Sequence, residues 1–349
     1  MDKTIDRLAQ CLRNYQGPPV RLMEVCGTHT HALSRLGIPA MLPHQVSLIS
    51  GPGCPVCVTP AGYIDRAAEL ACQPHSVLLS FGDMLRVPGK KRSLLEAKAS
   101  GGNVALMYSP LDALALAAKA PDTTFYVAAV GFETTLPLYA LLIQRMEEQS
   151  IRNIRLLTAV KALLPGLDWL CQQSPEIDGF IGPGHVSAIL GYGAYEPLCA
   201  CYRLPLTVAG FEYQHLVPAI YDLVQQKKAG THEVRNLYPS VVTREGNATA
   251  QALIHQYFVP AAAVWRGLGE IDGSGYSLAP AYQKFDAGAY DETSPEGDEC
   301  LCGQIITGKA RPVECPCFGT LCTPERPLGP CMVSSEGACG IWHSTERTL

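Results

Sequence analysis

The sequence predicts an α/β protein in which two similar parallel-sheet domains are joined to an irregular, cysteine-rich domain. Short apolar segments alternate with helical segments from residue 20 to residue 228, which is typical of parallel strands covered on both faces. Two predicted strands end in the same Gly-Phe-Glu sequence, at residues 131–133 and 210–212. Seven of the fifteen cysteines fall within residues 300–339, where proline and glycine keep the backbone in loops.

The predicted elements follow the spacing of apolar residues along the chain. We predict helices at residues 3–16, 32–36, 61–70, 93–99, 111–119, 137–148, 164–172, 218–228 and 245–258. We predict strands at residues 20–25, 46–50, 76–81, 103–108, 123–130, 154–160, 179–182 and 206–212. Residues 263–269 are predicted to be turn-rich, and residues 272–298 are predicted to be irregular.

Three domains follow from these patterns. The repeated Gly-Phe-Glu ending indicates that residues 20–130 and residues 131–235 form the two α/β domains. The alternation stops near residue 236, and the cysteines become frequent after it. We therefore assign residues 1–19 and 236–349 to the third domain.

Composition argues against several classes of function. The net charge is −5, and no basic cluster with interleaved aromatic residues indicates nucleic-acid binding. The polar N-terminus is unlike a signal peptide, and no apolar run reaches the roughly 18–20 residues that span a bilayer. We therefore expect a soluble, cytoplasmic protein that binds neither nucleic acid nor membranes. In a reducing compartment, fifteen cysteines indicate metal, cluster or redox chemistry more than structural disulfides.

One thiol pair, Cys54 and Cys57, lies in the sequence GPGCPVCVT at residues 51–59. The glycines and prolines favour a tight turn ahead of the predicted helix at residues 61–70. Amides at a helix N-terminus favour a thiolate, so we expect one sulfur to have a lowered pKa. This pattern suits disulfide exchange or capture of a soft metal. Half of a structural zinc site, or two inert thiols, are the alternatives.

A second group of donors follows the first predicted strand. Glu24, Cys26, His29 and His31 offer a thiolate, two imidazoles and a carboxylate within eight residues, a set that suits iron or zinc. The alternative is that the histidines cap the next helix and that Cys26 is buried and inert. The strand at residues 46–50 leads into the Cys54 turn. If both strands lie in one parallel sheet, all three thiols converge in one cleft.

Loop residues elsewhere carry weaker signals. His185 follows a Pro-Gly pair, and it is either catalytic or a helix cap. Glu133 and Glu212 end the two Gly-Phe-Glu segments, and each binds either a ligand or the backbone amides of a helix start. Asp83 and Arg86 lie in the loop after the strand at residues 76–81.

The C-terminal cysteines suit a tetrathiolate site on loops. Zinc and a [4Fe–4S] cluster both fit such a site, and the absence of paired C-x-x-C knuckles favours the cluster. Six, eight and seven residues separate the four preferred ligands, which are Cys315, Cys322, Cys331 and Cys339. Spacing does not make this choice unique, because three cysteines remain: Cys300, Cys302 and Cys317.

Five long motifs resemble those of the HypD family of [NiFe]-hydrogenase maturation factors. They are MEVCGTHTH at residues 23–31, GPGCPVC at 51–57, SFGDMLRVPG at 80–89, GPGHVS at 182–187 and CMVSSEGAC at 331–339. Their order and length make the resemblance specific, and it extends from about residue 23 to residue 342.

The resemblance implies a scaffold for assembly of the Fe(CN)₂CO unit, together with a HypC-type chaperone and a HypE-type cyanide donor. It implies two similar α/β domains and a third domain that holds a [4Fe–4S] cluster. It also implies that Cys26 binds the iron that carries CN and CO, and that Cys54 and Cys57 form a thiol/disulfide pair. The implied cluster ligands are Cys315, Cys322, Cys331 and Cys339. Four further residues lie within the shared motifs: His29, His185, Asp83 and Glu336. Of these four, His29 and His185 are the candidate catalytic residues.

A cluster beside a dithiol resembles ferredoxin:thioredoxin reductase, and one thiol pair stores two electrons. Two other functions are compatible with the cysteines. One is a general thiol–disulfide oxidoreductase, and the other is a zinc-stabilised binding module with no redox role. Neither explains the motif around Cys26.

Overall fold

The computed structural model of the protein describes residues 3–173, 176–292 and 300–346. Its strands are β1 (Val20–Glu24), β2 (Val46–Ser50), β3 (Ser76–Ser80), β4 (Val104–Leu106), β5 (Thr124–Ala129), β6 (Ile154–Thr158), β7 (Gly179–Pro183), β8 (Leu206–Ala209), β9 (Val234–Asn236), β10 (Phe258–Trp265) and β11 (Gly269–Leu278).

Helices cover the sheets and connect their parallel strands. They are α1 (Lys3–Arg13), α2 (Gly27–Arg35), α3 (Ile38–Met41), α4 (Ala61–Ala71), α5 (Leu94–Ala99), α6 (Asp112–Lys119), α7 (Leu136–Glu148), α8 (Leu163–Gln172), α9 (Gly184–Leu190), α10 (Glu196–Tyr202), α11 (Tyr213–Ala229), α12 (Ala248–Tyr257), α13 (Cys302–Ile306) and α14 (Ala338–Glu346). None of these described helices has the length and apolar character needed to cross a membrane.

Two parallel sheets confirm the predicted α/β class. The first sheet has the strand order β2-β1-β7-β8-β9, and the second has the order β4-β3-β5-β6. The central strands, such as β5, β7 and β8, are mostly buried and apolar, as expected for sheets covered by helices. Both sheets therefore present loops at their carboxyl ends, where α/β proteins bind ligands.

The sheets do not follow the predicted division at residues 130 and 131. The first sheet takes β1 and β2 from one part of the chain and β7 to β9 from a distant part, because β1 pairs with β7. The second sheet lies wholly between them in sequence. Helix α1, which we grouped with the cysteine-rich domain, packs instead against α11 of the first sheet. Apolar periodicity identifies a strand, but it carries no information about the strand's partner.

An antiparallel hairpin occupies residues 258–278, where we predicted a turn-rich segment at 263–269 and the start of an irregular segment at 272–298. The turn is present at residues 266–268, and residues 279–292 contain a short 3₁₀ helix and no strand, so the predictions are wrong for the strands alone. Strands β10 and β11 pair along their length, with a register shift between Ala261 and Ala263. Buried Trp265 anchors the hairpin, and its indole N–H donates to Ser274 Oγ at 2.8 Å. Glycines within β11 hid the strand, since glycine is unfavourable in strand interiors. The last predicted positions, 293–298, lie outside the described residues.

Helix α2 begins five residues earlier than predicted. Cys26 has an extended backbone (φ −152°, ψ 120°) and is the N-cap, but its side chain makes no capping hydrogen bond. Cysteine is not among the preferred capping residues, so the sequence carried no signal for this start. His29 and His31 therefore lie inside the helix and do not cap it.

Candidate functional site

A cleft of about 540 Å³ lies between the carboxyl ends of the two sheets. Cys26 and Gly53 reach it from loops after β1 and β2 of the first sheet. Phe81, Met107 and Val130 reach it from loops after β3, β4 and β5 of the second sheet. This cleft is the candidate functional site, because each sheet directs its loops toward it.

Cys26 is half-buried in the wall of this cleft. Burial raises the pKa of its thiol to about 12, and the carboxylates of Glu24 and Glu336 act in the same direction. The position at the start of α2 favours the thiolate, but desolvation outweighs it. The thiol therefore holds its proton until a cation replaces it.

Glu24 supports the Cys26 loop from the end of β1. Its side chain is only 2% exposed, and its Oε2 accepts the backbone N–H of Cys26 at 2.9 Å. Its Oε1 accepts the hydroxyl of Thr30. Burial raises the pKa of Glu24 to about 8. This carboxyl is thus a fixed part of the loop and does not line the cleft, contrary to its predicted place in a ligand set.

The disulfide pair lies on the neighbouring loop. Cys54 and Cys57 are joined in a disulfide with a Cα–Cα distance of 5.3 Å, on the predicted turn before α4. The Oγ of Ser334 lies 3.5 Å from Cys54 Sγ. The predicted low thiol pKa concerns the reduced pair, so it stays a prediction. We predicted that Cys26, Cys54 and Cys57 converge if the strands before them lie in one parallel sheet. Those strands are β1 and β2, and they pair in parallel.

Close packing holds the two loops to each other and to the C-terminal region. A Cβ on Gly53 would lie 2.2 Å from the carbonyl carbon of Val25, and a Cβ on Gly27 would lie 2.4 Å from Glu336 Cβ. The hydroxyl of Thr28 donates to Glu336 Oε1 at 2.6 Å. Both glycines are therefore required by close approach, and Glu336 lines the cleft from the C-terminal region.

The two candidate histidines have different environments. His185 lines the cleft and stacks on Phe211, with ring centroids 4.1 Å apart. His29 is fully buried and also contacts Phe211, with ring centroids 4.8 Å apart, and its Nε2 lies 3.1 Å from Gly210 O. Burial lowers the pKa of His29 to about 4 and also lowers that of His185. Only His185 can therefore reach a molecule in the cleft directly.

Glu133 binds a backbone amide at a helix start, which is one of the two roles predicted for it. Its Oε1 accepts the backbone N–H of Leu163 at 2.8 Å, at the start of α8, and burial raises its pKa to about 7. Glu212 is the N-cap of α11, but it makes no side-chain capping bond. His31 does not line the cleft, and its Nδ1 lies 3.3 Å from Ser335 O.

The C-terminal cysteines come together beside the disulfide loop in one continuous apolar core. The Sγ atoms of Cys302 and Cys331 are 3.0 Å apart, while the thiol of Cys300 contacts Cys302 and Cys315. Burial raises the pKa of Cys322 and Cys339, and neighbouring thiols act in the same direction. The buried members are Cys315, Cys317, Cys322, Cys331 and Cys339.

The clustered cysteines offer thiolate ligands, which both zinc and a [4Fe–4S] cluster accept. In the described part of the chain, no group of three or more His, Cys, Asp and Glu side chains is arranged to hold a metal ion. A [4Fe–4S] cluster instead takes one thiolate at each of four irons, so its ligands surround a cube. The predicted ligands Cys315, Cys322 and Cys339 share their surroundings with Cys300. The fourth, Cys331, faces Cys302 more closely, so Cys300 and Cys331 both qualify for the last position.

Arg266 was missed by sequence reasoning. Its backbone N–H donates to Val58 O at 2.9 Å, and its Nη1 donates to Pro88 O at 2.9 Å. Burial lowers the pKa of its guanidinium, while nearby thiols oppose that effect, namely Cys302, Cys331 and Cys300. A cation thus lies between the disulfide loop and the clustered cysteines. It lies within the segment at residues 263–269 that we predicted as turn-rich, so no periodic signal pointed to it.

Comparison with known proteins identifies the family. The family model named HypD, described as the hydrogenase formation hypA family, matches residues 2–346. The chain is 44% identical to the hydrogenase maturation factor HypD of Escherichia coli (strain K12) over 331 residues, which cover 93% of this chain and 89% of that protein. The chain belongs to the HypD family. It is also 43% identical to HypD of Azotobacter vinelandii over 340 residues, which cover 94% of this chain and 89% of that protein. It is 40% identical to HypD of Cupriavidus necator over 345 residues, which cover 95% of this chain and 91% of that protein.

The family resemblance stated from motifs is therefore confirmed, and the fold shows where those HypD motifs lie. Four of them line the cleft, through Cys26, Gly53, Asp83 and His185. The fifth, at residues 331–339, brings Ser334 and Glu336 to the same place. Arg86 of the third motif is exposed, and its Nη1 lies 3.5 Å from Pro324 O. The HypD motifs thus form one connected site, although they are dispersed along the chain.

Proposed function

We propose that this HypD-family chain is a scaffold and redox factor for assembly of the Fe(CN)₂CO unit of [NiFe]-hydrogenases. The observation that carries the proposal is the meeting of three features at one cleft: the Cys26 thiol, the Cys54–Cys57 disulfide loop and the cysteine-rich region. The names of the curated relatives, which are hydrogenase maturation factors, support it.

Cys26 is the proposed ligand of the iron cargo. Low-spin iron that carries CO and cyanide is soft, and a thiolate is its preferred protein ligand. Because the free thiol has a pKa of about 12, iron binding must release a proton. Glu24 holds the Cys26 backbone through its N–H, so the sulfur keeps its direction when the proton leaves.

Partners would approach from the open side of the cleft. A HypC-type chaperone would share the iron with Cys26, and a HypE-type protein would donate cyanide. Two large apolar side chains at the cleft support a protein partner, because Leu106 is 49% exposed and Tyr108 is 90% exposed. Exposed aromatic and aliphatic groups beside a functional cleft are typical of docking surfaces.

The C-terminal region is the proposed site of a [4Fe–4S] cluster. Cys315, Cys322 and Cys339 would hold three of its irons, with either Cys331 or Cys300 at the fourth. When bound, the cluster would supply single electrons beside the Cys54–Cys57 disulfide. The positive charge of Arg266 favours the thiolate form of the ligands.

The disulfide loop would store electrons in pairs. Reduction of the Cys54–Cys57 bond takes two electrons and two protons and gives two thiols. Re-formation of the bond would pass two electrons to the ligand precursor on the iron and release two protons. The cluster carries one electron at a time, so an external one-electron donor would have to reduce it twice for each cycle. Burial of both sulfurs restricts this exchange to groups that reach the cleft, which argues against a general oxidoreductase.

The test is an anaerobic absorption spectrum with iron and sulfide analysis of the purified chain and of Cys322→Ser. We expect a brown protein with about four irons and a bleached variant. Cys54→Ser should abolish hydrogenase maturation but keep the spectrum, and Cys201→Ser, an exposed control, should change neither. A colourless protein that holds zinc would instead favour the zinc-stabilised binding module. Turnover of generic disulfides without a partner would favour the general oxidoreductase.

A further inference from the structure

A second cavity, of about 210 Å³, lies outside the HypD motifs at the carboxyl end of β6. Thr158 and Lys161 line it from the second sheet, and the β10–β11 hairpin closes one side. The cavity is smaller than the roughly 300–1,000 Å³ typical of drug-sized ligands, so its ligand must be small. Its position matches the usual ligand site of parallel α/β sheets.

Lys161 is the central polar group of this cavity. Its side chain is only 1% exposed, and among the described residues its Nζ donates one hydrogen bond, to Val264 O at 2.8 Å. An ammonium group has three N–H donors, and a buried cation is costly when they are not used. Burial lowers its pKa to about 8, so it is still mainly charged at neutral pH.

Thr158 gives an independent observation. Its Oγ1 is buried and has no hydrogen-bond partner among the described residues. Buried hydroxyl groups are nearly always paired in proteins, with protein atoms, water or a ligand. Thr158 and Lys161 therefore present unused hydrogen-bonding capacity on the same wall of the cavity.

Opposite charge is present in the same cavity. Glu292 lines it, half-buried, and interacts electrostatically with Lys161 without forming an ion pair within 4 Å. Asp286 lies at the exposed rim, where its Oδ1 accepts the backbone N–H of Gly288. The remaining wall includes the apolar side chains of Ala261, Ala263 and Leu278. A cation and two carboxylates around one small space complement a molecule that carries both charges.

We propose that this cavity binds a small zwitterion of the α-amino acid class. Its carboxylate binds Lys161 and Thr158, its ammonium group faces Glu292 and Asp286, and a short apolar side chain contacts the hairpin alanines. This site is separate from the cleft, so the proposal does not rest on the proposed maturation function.

The test is isothermal titration of the full chain with glycine, L-alanine and L-valine, and with acetate and methylammonium as half-ligands. We expect saturable binding of at least one amino acid, and much weaker binding of either half-ligand. Lys161→Met should weaken that binding on the order of tenfold to a hundredfold, as for loss of a charge-assisted hydrogen bond. Lys309→Met, which changes an exposed lysine, is the matched control and should bind normally.

Thr158→Val keeps the side-chain shape and tests the site if Lys161→Met fails to fold. It should weaken binding about fivefold to tenfold, the equivalent of one neutral hydrogen bond. The proposal is overturned if no amino acid gives saturable heat in the millimolar range, or if both variants bind as the parent does. Acetate that binds as tightly as the amino acids would also overturn it, because the acidic wall would then have no role.

Discussion

The Cys26 loop and the cysteine-rich region contribute thiols to the same neighbourhood, but their thiols are positioned by different means. Cys26 follows a strand that pairs on both sides, so backbone hydrogen bonds fix it before any ligand arrives. In the cysteine-rich region, short 3₁₀ turns, bends and the two helices α13 and α14 carry the thiols, and sulfur–sulfur contacts replace a sheet. We infer that the first site is preformed and that the second depends on its ligand for stability.

The largest expected effect tests this contrast directly. Cys322→Ser should lower the thermal midpoint of the anaerobically purified protein by many degrees, because loss of the proposed cluster would remove its binding energy from the folded state. Cys26→Ser should change the midpoint by at most a few degrees, since the sheet holds its loop. Differential scanning calorimetry of both variants makes the comparison. Equal midpoints would show that both regions are preformed.

The sequence predicted the sheet elements well and their arrangement less well. Strands such as β3 and β5 lie where apolar runs occur, because burial on both faces leaves a continuous signal. The partnership of β1 with β7 could not be predicted, because no local pattern records which edge a strand meets. The glycines that hid β11 serve the tight hairpin, where Gly267 and Gly269 have positive φ.

The residues of the candidate site also divide into those that the sequence predicts and those that only the fold reveals. Cys26, Cys54 and His185 were found from sequence because unusual residues follow predicted strands. Arg266 was not found, because its importance comes from tertiary contact with the disulfide loop and distant thiols. Likewise, the 3.0 Å approach of Cys331 to Cys302 is a feature of loop packing that spacing along the chain cannot reveal.

Backbone packing between the two loops predicts the next largest effect. Gly53→Ala should destabilise the protein by about 3 kcal/mol, because the added methyl group meets main-chain atoms of Val25 and Cys26 that cannot move cheaply. Gly82→Ala is the matched control at the same cleft, since its nearest atom is Leu106 Cδ2 at 3.9 Å. Urea unfolding of both variants measures the difference. Similar losses in the two variants would contradict a preformed, tightly packed Cys26 site.

Burial of Glu133, which follows β5 of the second sheet, predicts that the stability of the protein depends on pH. Its folded pKa of about 7 exceeds the value of 4.5 that applies when exposed, so its protonation favours the folded state. The contribution of this protonation to the free energy of unfolding is complete below about pH 4.5 and is lost as the pH rises through 7. The expected loss of stability between pH 5 and 8 is about 2 kcal/mol. Glu133→Gln keeps an acceptor for the Leu163 N–H and should flatten this decrease.

Urea titrations at pH 5, 6, 7 and 8 compare the Glu133→Gln slope with that of the parent. Glu314→Gln is the control, because Glu314 is exposed in the cysteine-rich region. It should leave the slope between pH 5 and 8 unchanged. An unchanged slope in Glu133→Gln would mean that water reaches this carboxyl in the native protein.

The smallest effect concerns the contact between the two regions. Thr28→Val removes the 2.6 Å hydrogen bond to Glu336 and should cost about 1 kcal/mol, since the pair is partly exposed. A double-mutant cycle with Glu336→Met, which keeps the length of the side chain but removes the acceptor, separates the pair from other contacts of either residue. A coupling energy near zero would mean that close packing at Gly27, and not this hydrogen bond, joins the regions. A measurable coupling that grows when the cluster is bound would show that the ligand-dependent region tightens on the preformed one, and that the Cys26 cleft is complete only in the loaded protein.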